Sequence, residues 1–290
     1  MAKRIVIDTG VARELCYEEP SWFSTFSEMA RDGWTFHLSD ICVAECIAAR
    51  ERQSIKDDQW AKGVSRLEKI LGDYFPCLPG KRELFHLCGF WDEQDPNTER
   101  LSEEFQLEYS RATWKEIKKP LLPMDSSAEI TFAVGKQRFR CPVKLGFAAN
   151  VLTEERAKWI EEMTREPQKD FDYNKAVETA KRGFDTWAKT ADAPMSVKGD
   201  ILAHVQSEWE RRLASGYSAS SSKNKNDGID FLLHFAFLWP SLLVTTDGKV
   251  RNFMRGLPSF QAKWVFLPQE LADAWRDKNL GEPDWPSRQP

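Results

Sequence analysis

The amino-acid sequence predicts an α/β protein in which both ends of the chain build one parallel sheet. Two short apolar strands alternate with helices near the N-terminus, and the same alternation returns near the C-terminus. Between them, roughly residues 50–220 are rich in charge and in amphipathic helical spacing, which indicates a mostly helical insertion. We therefore expect a core made of residues 1–50 and 222–290, interrupted by a helical insertion at residues 51–221.

The N-terminal elements alternate between strand and helix. Residues 4–9 form a β-branched run that predicts the first strand, and a helical stretch follows it. Residues 22–31 predict a second helix, and residues 34–38 a second strand. Ser39 or Asp40 is then placed to cap the apolar helix that comes next. This strand-helix-strand-helix order is typical of a parallel sheet.

The rest of the chain is assigned by the same signals. The C-terminal part predicts a helix, a strand, a helix, a strand and a helix, at 227–239, 242–246, 248–255, 263–267 and 268–276. The insertion predicts helices at 59–71, 98–117, 153–164, 174–190 and 198–213. Residues 130–134 and 137–139 flank Gly135 like a hairpin that contributes a strand to the sheet. The polar run 218–226 is either a surface linker or a mobile loop beside an active site.

Composition limits the classes of partner. Lys and Arg total 41 against 45 Asp and Glu, so the net charge is -4 and any contact with nucleic acid needs a local basic patch. Six cysteines without a Cys-x-x-Cys spacing are expected to be buried free thiols. The apolar start is too short for a secretory signal, and the longest apolar run, 231–240, is about half of what spans a bilayer. We expect a cytoplasmic protein with no membrane partner. Candidate basic patches are Lys136, Arg138, Arg140 and Lys144, or Lys223 and Lys225.

Acidic residues follow the predicted strands at the point where each strand ends. Asp8 ends the first strand, Asp40 follows the second, and Asp247 follows the strand at 242–246. The carboxyl ends of parallel strands meet at one edge of the sheet, where ligands bind in α/β proteins. These three acids are therefore expected at a common edge.

Two helices bring further acids to that edge. Asp227 and Asp230 open the helix that runs back toward the sheet, and His234 follows at seven residues from Asp227. Glu45 lies one and a half turns into its helix, within reach of Asp8. Carboxylates so close repel one another, and a hard cation such as Mg²⁺ or Mn²⁺ removes that conflict. Such a cation also activates water and stabilises the leaving oxygen of a phosphodiester.

Asp40, His234 and Thr246 are secondary candidates, and the first two have ordinary structural alternatives. Asp40 sits at a helix start, which favours an acid for the helix alone. His234 lies in an otherwise apolar helix, where a hydrogen-bonded core histidine is common. Thr246 precedes Asp247 directly.

Taken together, these motifs resemble those of PIN-domain and PIN-like ribonucleases. The matching parts cover residues 1–50 and 222–278, which is under half of the chain. The motifs are Ile-Val-Ile-Asp8-Thr, Leu-Ser-Asp-Ile-Cys-Val-Ala-Glu45, Asn226-Asp227-Gly-Ile-Asp230 with His234, and Leu-Val-Thr-Thr-Asp247 followed by a short helix and the strand at 263–267.

The resemblance implies a fold and an activity. The family has a three-layer α/β/α fold and an acidic centre for Mg²⁺ or Mn²⁺. By position, Asp8 matches the first-strand acid, Glu45 the helix acid, Asp227 or Asp230 the third acid, and Asp247 the last-strand acid. The implied function is a metal-dependent endonuclease acting on single-stranded or structured RNA more readily than on DNA. The insertion is foreign to the small toxin-type members, and we expect it to select the substrate or a protein partner.

Other functions that the sequence suggests explain less of it. Asp8-Thr9-Gly10 matches the aspartic-protease tripeptide, but no second copy is present. A haloacid-dehalogenase-like phosphatase needs an acid at the position of Gly10. The remaining alternative is a PIN-like protein that has lost activity and serves as a nucleic-acid-binding or scaffold module, against which the retained acids argue.

Overall fold

The computed structural model describes residues 3–87, 98–119, 129–142, 148–164 and 226–283, with seven single residues between the last two ranges. Those seven are His204, Ser207, Arg211, Arg212, Ser218, Ser221 and Asn224. The helix predicted at 174–190, most of the one at 198–213, and Cys88, Lys144, Lys223 and Lys225 lie outside the described residues.

The described elements follow the predicted order, with one further α-helix at Lys81–Leu87 that was not predicted from the sequence. The strands are β1 (Arg4–Ile7), β2 (Thr35–Leu38), β3 (Glu129–Val134), β4 (Gln137–Pro142), β5 (Leu242–Val244) and β6 (Val265–Phe266). The α-helices are α1 (Thr9–Tyr17), α2 (Phe23–Arg31), α3 (Asp40–Glu51), α4 (Asp57–Leu67), α5 (Lys81–Leu87), α6 (Glu103–Ile117), α7 (Ala148–Thr164), α8 (Asp227–Leu232), α9 (Gly248–Arg255) and α10 (Pro268–Arg276). Short 3₁₀ helices occupy Thr98–Leu101, Leu233–Leu238 and Phe260–Trp264.

Both ends of the chain meet in one parallel sheet, as the sequence predicts. The strand order is β2-β1-β5-β6, and Ile5 lies opposite Leu242 while Ile7 lies opposite Val244. β1 is therefore an inner strand, and its three apolar residues are fully buried, as expected where helices cover both faces of a sheet. The α/β class is confirmed.

The hairpin differs from its prediction. β3 and β4 pair antiparallel around Gly135, whose φ of 57° suits a glycine in a tight turn. They form a separate two-stranded sheet, so the expectation that they contribute a strand to the main sheet is wrong. Their inner face packs on α6, where the Phe132 and Phe105 rings lie edge to face with centroids 5.0 Å apart. This packing meets the need of a hairpin for a hydrophobic partner.

The helix predicted at 227–239 is divided in two. α8 ends at Leu232, and the chain continues as the 3₁₀ helix Leu233–Leu238, whose six side chains are all buried. An apolar run that is buried all round carries no periodicity to distinguish the two kinds of helix, so the sequence could not mark this change.

Helix caps and thiols agree with the sequence. Ser39, and not Asp40, caps α3 by accepting a hydrogen bond from the Cys42 amide at 3.0 Å. The five described cysteines are buried and free. Over the residues that the structure describes, none of the helices has the length and apolar character that crossing a membrane requires.

Candidate active site

Asp8 lies at the carboxyl end of β1 and caps α1. Its Oδ1 accepts a hydrogen bond from the Thr9 amide at 2.6 Å, and its Oδ2 accepts one from Thr245 Oγ1 at 2.8 Å. The side chain is buried. Both carboxylate oxygens of Asp8 are therefore held in place, one of them by the residue that follows β5.

Thr245 ties the two strand-end acids together. It is fully buried directly after β5, and its hydroxyl donates to Asp8 while accepting from the Asp247 amide at 3.0 Å. Asp247 is exposed and caps α9 by accepting from the amides of Lys249 and Val250 at 2.7 and 3.2 Å. The first-strand and last-strand acids thus stand on neighbouring strand ends.

Glu45 reaches the same place from α3. Its Oε2 accepts a hydrogen bond from Thr9 Oγ1 at 2.5 Å, and Thr9 is the residue that follows Asp8. Thr9 therefore contacts both acids, because its amide binds Asp8 and its hydroxyl binds Glu45.

The start of α8 supplies the remaining two acids. Asp227 Oδ2 accepts a hydrogen bond from Arg212 Nη1 at 2.6 Å, and the guanidinium of Arg212 also lies over the Trp159 and Phe253 rings. Asp230 is partly buried, and within the described part of the chain its carboxylate has neither a hydrogen-bond donor nor a cationic partner. The two acids of α8 are thus in different environments.

The carboxyl pKa values show that the five acids act on one another. Burial raises the pKa of Asp230 to about 8, and repulsion from Asp8, Glu45, Asp227 and Asp247 adds to the effect. Burial also raises the pKa of Asp8 to about 6, against the opposing hydrogen bond from Thr245 and with further repulsion from Glu45 and Asp247. The five acids expected from the sequence therefore gather at the carboxyl edge of the sheet.

Asp40 and Thr246 lie near this edge in other roles. Asp40 is in the first turn of α3 and is absent from the charges that act most strongly on Asp8 and Asp230. Thr246 is exposed, and its Oγ1 would be 1.9 Å from a Cβ atom placed at Gly10. Gly10 is thus required by the close approach of α1 to the segment after β5.

His234 belongs to a buried histidine pair. Its Nδ1 is 2.6 Å from Nε2 of His204, and Nδ1 of His204 is 2.6 Å from Ser259 Oγ. Burial, followed by the charge of His234, lowers the pKa of His204 to about 2. Because the chain is a 3₁₀ helix from Leu233 onward, the α-helical spacing that grouped His234 with Asp227 and Asp230 does not extend to it.

Sequence reasoning missed the residues that hold the acids. Thr245 and Thr246 follow β5, and successive side chains of an extended chain point to opposite sides. This alternation indicates that only one of the two threonines faces inward. Thr9 adjoins Asp8. Arg212 carries no local signal, because Asp227 lies 15 residues further along the chain. The same holds for His204, which contacts His234 and no acid, 30 residues further along.

The donor chemistry fits a hard divalent cation, although the side chains are not gathered around one point. Among the described residues, no three His, Cys, Asp or Glu side chains form a group that could hold a metal ion. Asp8, Glu45 and Asp227 are instead hydrogen-bonded to protein donors. All five groups are nevertheless carboxylates, the ligands that Mg²⁺ and Mn²⁺ prefer, and their mutual repulsion favours a cation. We conclude that the residues fit such a cation after the carboxylates exchange some of these hydrogen bonds.

Searches of protein-family models, curated proteins and solved structures give no match to this chain.

Proposed function

We propose that the chain is a divalent-metal-dependent endonuclease of the PIN-like kind that hydrolyses phosphodiester bonds. The observation that carries the proposal is the meeting of acids at one sheet edge, where Thr9 joins Asp8 to Glu45 and Thr245 joins Asp8 to Asp247. Burial and repulsion from these acids and Asp227 raise the pKa of Asp230 to about 8. Carboxylates brought this close cost stability unless the site serves to bind a cation. The resemblance of the motifs to PIN-like ribonucleases favours RNA over DNA.

Four carboxylates are suited to hold Mg²⁺ or Mn²⁺: Asp8, Glu45, Asp230 and Asp247. When bound, such an ion would lower the pKa of a water molecule and stabilise the oxygen that leaves phosphorus. Asp227 is paired with Arg212, so we assign it a positioning role at the start of α8. Of the two acids in this helix, Asp230 is therefore the better candidate ligand.

The neighbouring hydroxyl groups orient the carboxylates. Thr245 donates to Asp8 Oδ2 and fixes the plane of that carboxylate, while Thr9 does the same for Glu45. Both donors lie within two residues of the end of an inner strand of the sheet. The acids are in this way held at the edge before substrate arrives.

A catalytically inert PIN-like module is the second candidate. It is favoured by the absence, in the described part of the chain, of three side chains already grouped at metal-binding distance. In such a protein the acids would serve only as helix caps and hydrogen-bond acceptors, as Asp247 does for α9. The burial of Asp8 and the raised pKa of Asp230 argue against it, because capping needs neither.

The decisive experiment is cleavage of labelled single-stranded RNA and DNA with Mn²⁺, with Mg²⁺ and with EDTA. Asp8→Asn should abolish cleavage and stay folded, because asparagine can still accept from the Thr9 amide and cap α1. Asp40→Asn is the matched control, an acid at the same edge that should keep full activity. Full cleavage by folded Asp8→Asn would remove Asp8 from the site and the nuclease proposal with it.

A further inference from the structure

The β3–β4 hairpin has one apolar face and one basic face. Ile130, Phe132 and Cys141 are buried on the inner side that packs on α6. The alternation of strand residues places Arg138 and Arg140 together on the outer side. Lys136 is exposed in the turn between the strands. We call Lys136, Arg138 and Arg140 the basic ribbon face.

The basic ribbon face has no neutralising partner in its own sheet. Arg138 lies opposite Ala133 and Arg140 lies opposite Thr131, and all four residues are exposed. The acid on this side of the hairpin, Glu129, lies at the far end of β3 opposite Pro142. Among the residues that the structure describes, no ion pair involves any of the three cations.

We propose that the basic ribbon face binds the phosphate backbone of single-stranded RNA. A protein with a net charge of -4 has no general attraction for a polyanion, so a local group of unpaired cations is the feature that such a ligand would select. Side chains two residues apart on one strand are roughly 7 Å apart, which is comparable to the spacing of successive phosphates in an extended strand. Guanidinium groups also bind phosphate oxygens in pairs.

The same surface does not suit a membrane. Basic surfaces that bind anionic lipid combine their charges with apolar side chains that enter the headgroup layer. The outer side of the ribbon offers Thr131 and Ala133 between its cations. In the described part of the chain, the large apolar side chains that are exposed are Tyr17 and Tyr74, which lie on neither β3 nor β4.

The inference rests on the proposed function for the choice of RNA, but its test does not require cleavage. Binding of a fluorescent oligouridylate to the full chain is measured by anisotropy in EDTA over a range of salt concentrations. The test variant is Lys136→Gln, Arg138→Gln, Arg140→Gln. The control, Arg31→Gln, Arg52→Gln, Lys62→Gln, removes the same charge from exposed positions on other elements.

The ribbon variant should bind on the order of tenfold more weakly. The slope of log Kd against log salt concentration should fall by about 2, because each of the three lost phosphate contacts accounts for about 0.7. The control should stay close to wild type. A separate variant with Arg138→Lys and Arg140→Lys should keep most of the wild-type binding, because the charges remain.

Equal binding by the ribbon variant and the control would overturn the inference, as would wild-type binding to vesicles of phosphatidylserine and phosphatidylcholine without binding to the oligonucleotide. The two proposals fail separately. Ribbon-dependent binding without metal-dependent cleavage would support the ribbon and reject the nuclease. Metal-dependent cleavage by wild type together with unchanged binding by the ribbon variant would support the nuclease and reject the ribbon.

Discussion

Asp230 makes the stability of the metal-free protein depend on pH. Its pKa is about 8 in the folded protein against 3.8 in the unfolded chain, so the folded state binds the proton more tightly. The folded state therefore gains stability as pH falls through about 8 toward about 4, and loses it as pH rises through the same window.

We expect wild type in EDTA to unfold at a higher temperature at about pH 5 than at about pH 8.5. Its free energy of unfolding should be larger at the lower pH by up to several kcal/mol. Asp230→Asn should weaken this dependence, because the amide does not titrate, and the part that remains below about pH 6 belongs to Asp8, whose pKa is raised to about 6. Asp40→Asn should leave the dependence unchanged. A pH dependence as steep in Asp230→Asn as in wild type would assign the effect to another group.

Thr245 should contribute to stability through its two hydrogen bonds. Thr245→Val keeps the shape of the side chain but leaves Asp8 Oδ2 and the Asp247 amide without this partner. A loss of about 1–3 kcal/mol in urea unfolding is expected. Thr246→Val is the control one residue later, and its cost should stay within about 0.5 kcal/mol because that side chain is exposed. Equal costs at the two positions would contradict the roles assigned to them.

At the scale of elements, the approach of α1 to the end of β5 can be tested with a double-mutant cycle. Gly10→Ala places a Cβ atom 1.9 Å from Thr246 Oγ1 and should cost about 1–3 kcal/mol. Thr246→Ala should cost little alone, and the double variant should recover most of the loss. The measurement is the free energy of unfolding of all four proteins. Additive costs would show that the two residues do not meet.

Elements whose ends are marked locally were predictable from the sequence. The bounds of α9 and α10 agree with their predictions, because Asp247 caps the first and Pro268 occupies the first turn of the second. The common edge of Asp8 and Asp247 was also predictable, since it follows from strand polarity. The 3₁₀ segment after α8 and the contact of Arg212 with Asp227 were not, since they depend on packing between distant parts of the chain.

At the scale of the whole molecule, metal binding should stabilise the fold. A cation that binds only the folded state adds RT ln(1 + [L]/Kd), which is about 2.7 kcal/mol at a hundredfold excess over Kd. Millimolar Mn²⁺ should therefore raise the melting temperature of wild type. The rise should shrink sharply in Asp8→Asn, Asp247→Asn, which removes both strand-end acids.

The matched control is Asp40→Asn, Asp58→Asn. Neither of these acids is among the charges that act most strongly on Asp230, so this variant should respond to Mn²⁺ like wild type. If the strand-end variant and wild type gain the same stability, the acids do not share a cation. The inert module would then be the better description of the protein.

The place of β1 inside the sheet also determines when the site can exist. β1 ends at Ile7, yet β5, its neighbour on one side, begins at Leu242. The chain between them must be made before the strands can pair, and such distant pairing slows folding. Asp230 and Asp247 likewise reach Asp8 only after the long segment that separates them from it has been made. A nascent chain on the ribosome thus holds a separated set of acids, and the proposed nuclease would become active only after β5 and Asp247 have been made.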